Sequence, residues 1–250
     1  MQRLRRRRLK RALLAIVGIL LIYSAGYAGY TFAHSPFFDL NEIRVQGNAI
    51  VHRDELVALS GLRIGVNLLS VSTEQAEEGI RSQPYIKDAV VTRSFPNRVD
   101  VRVSERTPIA LISGGGRYLI LDENGHCLLE VGLAGAESWR LPSIRCSDEA
   151  AAIGPGDQTD DEGVLAALTL IKKLDPFFLE NILEFEAFSA ERLAVINTDG
   201  LPVYFGLPED LDRKLQDYED VLIRNREKCN AATLNYVDIR YDTQITLNWK

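Results

Sequence analysis

Residues Ala89–Ala110 read AVVTRSFPNRVDVRVSERTPIA, and this stretch predicts a β-hairpin. Two runs rich in β-branched residues flank Phe95-Pro96-Asn97, a turn in which proline fixes φ and asparagine tolerates the turn geometry. In the second run Val99, Val101 and Val103 alternate with polar residues, a period of two that gives one buried and one solvated face. The stretch therefore predicts two paired strands.

The residues before this hairpin predict the rest of a small α+β domain. Phe38–Val45 has the alternation of a strand, and Arg53–Leu59 predicts a short helix that Gly61 ends in a left-handed cap. Ser72, followed three residues later by Gln75, is a capping box that opens a second helix. The predicted order is strand, helix, helix, strand, strand.

The N-terminus combines a basic tail with an apolar segment. Residues 1–11 contain seven Arg or Lys residues and no acid, and residues 12–33 contain no charged side chain. A helix of that length spans about 33 Å, enough to cross the hydrocarbon core of a bilayer. Basic residues before the span hold this end in the cytoplasm, so we expect one transmembrane helix with the bulk exported. A cleaved signal peptide with its apolar core at Ala12–Ile22 is the alternative.

The exported part is acidic. All 35 acidic residues but only 22 of the 29 basic residues follow residue 11, which leaves a net charge of −13. A balance of this sign argues against nucleic acid or anionic lipid as the main partner of the exported part.

From Pro108 onward the pattern is mainly β. Asn124-Gly125 and Asp199-Gly200 each lie between two apolar runs, where such dipeptides predict hairpin turns. Tyr236–Tyr241 and Gln244–Trp249 predict two further strands at the end of the chain. A second, β-rich domain follows from this pattern.

Two helices are expected within this β-rich part. Thr159 and Glu162 have capping-box spacing ahead of apolar residues at helical intervals. Pro208 suits the first turn of another helix, whose apolar stripe starts at Leu211 and continues to about Arg226.

The combined motifs resemble the FtsQ/DivIB family of bacterial cell division proteins. Glu105-Arg106-x-Pro108-x-Ala110 and Val45-x-Gly47-Asn48 are similar to the family's POTRA domain, and Tyr236–Tyr241, after a long helix, resembles its C-terminal signature. The resemblance implies an α+β chain with four parts: a cytoplasmic basic tail (1–11), a transmembrane helix (12–33), a β-α-α-β-β POTRA domain (36–107) and a mostly antiparallel β domain with flanking helices (108–250).

The resemblance also implies a function. Members of this family are scaffolds of the division machinery, held in the inner membrane and concentrated at the septum. They bind FtsB-like and FtsL-like single-span proteins, and through them regulate septal peptidoglycan synthesis by the FtsW/FtsI pair. The anchor and POTRA domain act near the DNA-translocase division protein. FtsB is bound by β-augmentation, in which an edge strand accepts a partner strand.

The same resemblance implies the binding residues. The last strand is the expected edge, and the partner-binding positions map onto Arg240, Tyr241, Thr243 and Trp249, with Arg192 as an additional basic residue in a shifted register. Arg240 would pair with an acid of the partner. Tyr241 and Trp249 would supply apolar anchor area with a polar group at one end.

Other function classes have less support in the sequence. Gly114-Gly115-Gly116 lacks the Lys and Ser/Thr of a P-loop, and the three histidines are scattered, so we expect no enzyme, cofactor or metal site. A POTRA-containing envelope chaperone or membrane-insertion factor is the alternative function. Tandem POTRA copies would favour that alternative, but the sequence shows no internal repeat.

The chain has three cysteines, Cys127, Cys146 and Cys229, in a part expected to be exported. An oxidising compartment permits a disulfide between Cys127 and Cys146, and buried free thiols are the other possibility.

Overall fold

The computed structural model describes residues 2–224, 231–241 and 245–250. The chain separates into two compact units. The first comprises Met1–Arg81 and Asp88–Ser104, and the second comprises Ser82–Lys87 and Glu105–Lys250.

The first unit begins with a long helix, α1 (Gln2–Ala33). Its stretch Ile16–Ala33 is long and apolar enough to cross a membrane, and none of it is buried against the rest of the chain. An amphipathic core helix would bury one face. The predicted apolar N-terminal helix is therefore confirmed.

The rest of the first unit has the predicted β-α-α-β-β order. Its elements are β1 (Glu42–Gln46), α2 (Arg53–Ser60), α3 (Thr73–Arg81), β2 (Ile86–Ser94) and β3 (Arg98–Glu105). The three strands form a sheet in the order β1-β3-β2, with β1 parallel to β3. Gly61 ends α2 in the left-handed conformation, with φ of 66°, and the Ser72 hydroxyl accepts the backbone N–H of Gln75 at the start of α3.

The predicted hairpin supplies two of the three strands of this unit, β2 and the central strand β3. Val99, Val101 and Val103 are buried on one face of β3, as the period of two predicts. The turn between β2 and β3 contains a cis peptide bond between Phe95 and Pro96.

The second unit is built on one sheet of nine strands. These are β4 (Pro108–Gly114), β5 (Arg117–Asp122), β6 (Cys127–Val131), β7 (Ser143–Arg145), β8 (Ile182–Ala187), β9 (Leu193–Asn197), β10 (Pro202–Tyr204), β11 (Leu234–Asp238) and β12 (Thr246–Trp249). Their order is β12-β11-β10-β9-β8-β7-β4-β5-β6. Most neighbours are antiparallel, while β10-β11, β4-β7 and β7-β8 are parallel.

Helices cover one face of this sheet. The two longer ones are α5 (Glu162–Lys173) and α7 (Leu211–Arg224), and the single-turn helices α4 (Leu133–Ala136) and α6 (Pro176–Leu179) lie in connections. Side chains of α5 and of the first turns of α7 join inward residues of the strands in one apolar core. The predicted α+β class, with a POTRA-like unit and a mostly antiparallel β unit, is confirmed.

Helix starts in this unit differ from the sequence prediction. Asp161, not Thr159, caps α5, because the Asp161 carboxylate accepts the backbone N–H of Val164 at 2.8 Å. The Thr159 hydroxyl instead accepts the N–H of Asp161 at 3.2 Å. Pro208 lies outside α7, which begins three residues later at Leu211. A carboxylate nearer the first helical N–H groups satisfies them better than a more distant hydroxyl.

The two described cysteines are buried free thiols. Cys127 lies on β6, and Cys146 directly follows β7, with β4 and β5 between these strands. Three inter-strand spacings amount to about 14 Å, too far for a disulfide. Burial raises the pKa of each thiol to about 11. Cys229 lies outside the described residues.

Candidate functional site

The last strand, β12, is an edge of the nine-stranded sheet. It pairs with β11 through Asp238↔Thr246, Val237↔Leu247 and Tyr236↔Asn248, and no strand of the described residues pairs with its other side. An unpaired edge presents backbone N–H and C=O groups that a second chain can bond. This edge is where the sequence led us to expect the binding site.

The pairing of β11 shows which backbone groups of β12 are open. Ile239, directly after β11, donates its backbone N–H to Tyr204 of β10 at 3.0 Å. Because backbone groups alternate sides along a strand, Asp238 of β11 directs its groups toward β12 and bonds Thr246 there. Leu247, one residue further along β12, therefore directs its N–H and C=O to the open side.

The positively charged side chain of Arg240 lies at the end of β11, beside this edge. The Arg240 guanidinium donates from Nε to Oδ1 of Asp238 at 2.9 Å and from Nη2 to Oδ2 at 2.6 Å. Its central carbon lies 5.5 Å from the ring centroid of Tyr204 and 5.4 Å from that of Tyr241. Tyr236 extends the cluster, with its ring 5.5 Å from that of Tyr204.

This cluster explains why the strand ends earlier than predicted. We expected a strand over Tyr236–Tyr241, but β11 ends at Asp238. The Asp238 carboxylate also accepts the backbone N–H of Arg240 at 3.1 Å, a local bond that competes with strand pairing. Arg240 and Tyr241 thus follow the strand rather than belong to it.

Gly206 makes room for the arginine. It adopts φ of +64°, and a Cβ built there would lie 2.9 Å from Cγ of Arg240. A larger residue would therefore displace the arginine from its place over Tyr204.

The ion pair shifts the pKa values of both Asp238 and Arg240. Hydrogen bonds from the Arg240 side chain hold the pKa of Asp238 below its usual value, although burial opposes this. The hydrogen bond to Asp238 likewise raises the pKa of Arg240. Both groups are therefore charged at neutral pH.

Of the sequence-predicted residues, the structure brings Arg240 and Tyr241 into contact, whereas Trp249 pairs with Leu234 at the other end of β12. Tyr241 and Trp249 are exposed, at 65% and 56% of their full areas. Arg192 lies at the same end of the sheet as Arg240 but two strands further inward than β11, as the bond from the Gly206 N–H to the carbonyl oxygen of Leu193, the next residue, shows. Thr243 lies outside the described residues.

Three further members of the site were not predicted from the sequence: Tyr204, Asp238 and Gly206. Asp238 and Arg240 have the i, i+2 spacing of two side chains on one face of a strand. That spacing is a usable signal for the ion pair. The contribution of Tyr204 depends on β10 lying beside β11, which no local pattern indicates.

Comparison with models of protein families assigns the chain to a family. A family model described as the FtsQ-type POTRA domain matches residues 38–106, and a model described as the C-terminal part of cell division protein FtsQ/DivIB matches residues 110–240, more than half of the chain. The chain belongs to the FtsQ/DivIB family of cell division proteins. The C-terminal match ends at Arg240, so Tyr241, Thr243 and Trp249 lie beyond it.

Individual relatives agree over most of the chain. FtsQ of Myxococcus fulvus is 29% identical over 234 residues, which cover 93% of this chain and 79% of the relative. FtsQ of Geotalea daltonii is 27% identical over 247 residues, covering 95% and 86%. DivIB of Clostridium acetobutylicum is 26% identical over 220 residues, covering 82% and 81%.

Among solved structures, the chain matches the major extracytoplasmic domain of DivIB from Geobacillus stearothermophilus. The identity is 18% and the TM-score 0.31, with 49% of this chain and 98% of that chain covered. The family resemblance expected from the sequence is thus confirmed by the two family models and the relatives. The partner-binding roles of individual residues stay predictions.

Proposed function

We propose that this FtsQ/DivIB-family chain is a non-enzymatic scaffold of the division machinery that binds an FtsB-like single-span protein along β12. The open edge of β12 carries the proposal. Backbone pairing supplies affinity in such β-augmentation, and side chains beside the edge supply specificity.

The proposed partner segment is short. Since β12 has four residues and backbone groups alternate sides, Leu247 supplies the central open N–H and C=O pair. The Leu247 side chain packs against the core of the second unit. This packing fixes the position of the Leu247 N–H and C=O groups along the edge. A partner strand of about four residues fills the edge.

Arg240 is the proposed specificity residue. A guanidinium has five N–H donors in a planar fork, and Asp238 occupies the edge made of Nε and Nη2. The end made of Nη1 and Nη2 can receive a second carboxylate in a bidentate pair. The Arg240 side chain is about one-third exposed, so an acid of the partner reaches it without breaking the bond to Asp238.

Tyr241 and Trp249 are the proposed apolar anchors, since both are large and exposed beside the edge. Thr243 is proposed to contact the partner as well. Arg192 is proposed to add positive charge at the end of the sheet, where it steers an acidic partner rather than pairing along the strand.

The scaffold role combines these contacts with the anchor. We propose one membrane pass in the inner membrane at the septum, with residues 1–11 cytoplasmic, 12–33 in the bilayer, and a POTRA domain (36–107) and a β domain (108–250) in the periplasm. FtsB-like binding also brings in its FtsL-like companion and so regulates the FtsW/FtsI synthase pair. The anchor and POTRA domain act beside the DNA-translocase division protein.

Residue-resolved amide hydrogen exchange tests the edge. The full chain in detergent is measured with and without a synthetic peptide of the periplasmic segment of the FtsB homologue from the same genome. We expect the Leu247 amide to exchange at least about ten-fold more slowly when the peptide is bound. The amides of Thr246 and Asn248 are already bonded to β11, so they serve as internal controls.

Slower exchange confined to β6, the other edge of the sheet, would overturn the edge assignment. Binding with no change at Leu247 would do so as well. Failure of the peptide to bind would contradict the FtsB-like partner while leaving the family assignment unaffected.

A further inference from the structure

The first unit has exposed apolar side chains close to the end of its membrane helix. Five of them are each between 40 and 60% exposed. They lie in the segment after α1, in the loop between α2 and α3, and in the turn between β2 and β3: Phe37, Ile64, Val66, Leu69 and Phe95. We call this set the juxtamembrane apolar ring.

Hydrogen bonds attach the loop of the ring to the end of α1. The Asn67 side chain donates from Nδ2 to the carbonyl oxygen of Ala33, the last residue of the helix, at 2.8 Å. Leu40 and this loop exchange two backbone bonds of 2.8 Å each, from Leu40 N–H to Val66 and from Gly65 N–H to Leu40. The loop therefore lies where α1 ends.

Aromatic contacts attach the hairpin turn to the same place. Phe32, in the last turn of α1, has its ring 5.3 Å from that of Phe38, which lies 6.3 Å from the ring of Phe95. Phe37 is 5.1 Å from Phe38. The backbone N–H of Asn41 also bonds Asn97 in the turn at 2.8 Å. The Phe95 ring is thus connected to the membrane helix through the ring of Phe38.

We propose that the juxtamembrane apolar ring is inserted into the headgroup boundary of the outer leaflet of the inner membrane, so that the POTRA unit rests on the bilayer. The boundary layer accepts apolar groups to a depth of about 5–10 Å. Groups fixed beside the last residue of the span lie within that depth. Single exposed apolar residues are ordinary on protein surfaces, but a cluster around the exit of a membrane helix has lipid as its nearest apolar phase.

The occupant of this surface is zwitterionic phospholipid. Residues 34–107 contain nine basic and ten acidic side chains, so no net positive charge draws this unit to anionic headgroups. The inference rests on the membrane anchor in the proposed function. The inserted juxtamembrane apolar ring is a second attachment of the POTRA unit to the membrane. This attachment limits how far the unit tilts about the end of α1.

Fluorescence quenching by brominated lipid tests the contact. The full chain, with Trp139→Phe and Trp249→Phe, is reconstituted in phosphatidylcholine vesicles brominated near the top of the acyl chains. Phe95→Trp and, separately, Ile64→Trp place the probe in the ring. Val90→Trp is the matched control, because Val90 is also exposed but lies on β2, about 17 Å of strand from Phe95. Bromine in both leaflets makes the result independent of insertion direction.

We expect about two-fold weaker emission from the Phe95→Trp and Ile64→Trp chains in brominated than in plain vesicles, and unchanged emission from the Val90→Trp chain. Equal quenching in all three chains would overturn the proposal, as would no quenching in chains that float with the vesicles. Chains that fail to float would contradict the anchor itself, and the ring contact with it.

Discussion

The Arg240 guanidinium binds both carboxylate oxygens of Asp238, at 2.9 Å from Nε to Oδ1 and at 2.6 Å from Nη2 to Oδ2. The ion pair is local to the end of β11, and Asp238 also pairs through its backbone with Thr246 of the edge strand β12. The stability of the candidate site should therefore depend on the charge of one carboxylate.

Acid should weaken this part of the sheet. The pKa of Asp238 is lowered in the folded chain, mainly by Arg240, so its contribution to stability is present above an unfolded pKa of about 4 and is lost as pH falls through the folded pKa. We expect Asp238→Asn to reduce the free energy of unfolding by about 1 kcal/mol at pH 7, since the arginine is partly solvated. The loss should become smaller as the pH falls below about 4 and through the lowered pKa of the folded chain.

Urea titration of the full chain in detergent measures this effect, because Trp139 and Trp249 both lie in the second unit and report its unfolding. Asp160→Asn, at an exposed position, is the control and should have no effect at either pH. A loss from Asp238→Asn that is equal at pH 7 and pH 3 would contradict the role of the charge.

Lys214 is a buried cation on the core side of α7. Its Nζ donates to the carbonyl oxygens of Phe205 and Leu207, each at 2.9 Å, and only 3% of the residue is exposed. We expect Lys214→Met to cost about 2–4 kcal/mol in unfolding free energy, because two carbonyl groups lose a charged donor.

Lys173→Met is the matched control for Lys214. Lys173 is half-exposed and pairs with the exposed Asp212, so its loss should cost at most about 0.5 kcal/mol. The same urea titration compares the two variants. Equal costs would mean that the buried bonds of Lys214 contribute nothing beyond an ordinary surface charge.

Unlike Lys214, Tyr218 of α7 has a buried polar group that forms no hydrogen bond with the described residues. Its ring is buried against Phe205 and Phe178, but its hydroxyl has no hydrogen-bond partner among the described residues. We expect Tyr218→Phe to leave stability unchanged or to raise it by up to about 1 kcal/mol, and Tyr218→Ala to cost about 3–5 kcal/mol. A loss of more than about 1 kcal/mol for Tyr218→Phe would show that the hydroxyl is bonded.

These cases show which features a sequence makes visible. The hairpin and the POTRA order were predictable because alternation at Val99, Val101 and Val103 and the caps at Gly61 and Ser72 are local signals. Alternation with a period of two identifies a strand but not the strands that pair with it, so it does not predict the strand order of the sheet. The edge position of β12 came from the family resemblance.

The missed features depend on contacts between distant parts of the chain. Lys214 interrupts the apolar face of α7, and its partners are carbonyl groups of the loop after β10. The contact of Tyr204 with Arg240 requires β10 beside β11. At α5 the spacing of Thr159 and Glu162 predicted a cap at Thr159, whereas the backbone geometry selects Asp161.

The described cysteines should be unreactive while the protein is folded. With a pKa of about 11, Cys127 and Cys146 are thiolate at pH 8 in only about one molecule in a thousand, against about a quarter for a free cysteine. In a Cys229→Ser chain we expect no reaction with Ellman's reagent under native conditions and two thiols after unfolding without reductant. No thiols after unfolding would establish a disulfide and contradict the strand separation.

Binding of the proposed FtsB-like peptide should depend on the exposed aromatic residues beside the edge. Tyr241 and Trp249 are exposed in the free chain, so their replacement leaves the core intact. We expect Tyr241→Glu or Trp249→Ala to weaken binding by about ten- to thirty-fold, the usual effect of losing an aromatic anchor. Leu183→Ala, another exposed apolar residue, is the control and should bind as the parent chain does. Calorimetry on the full chain in detergent measures the affinities, and unchanged binding by both aromatic variants would contradict the edge site.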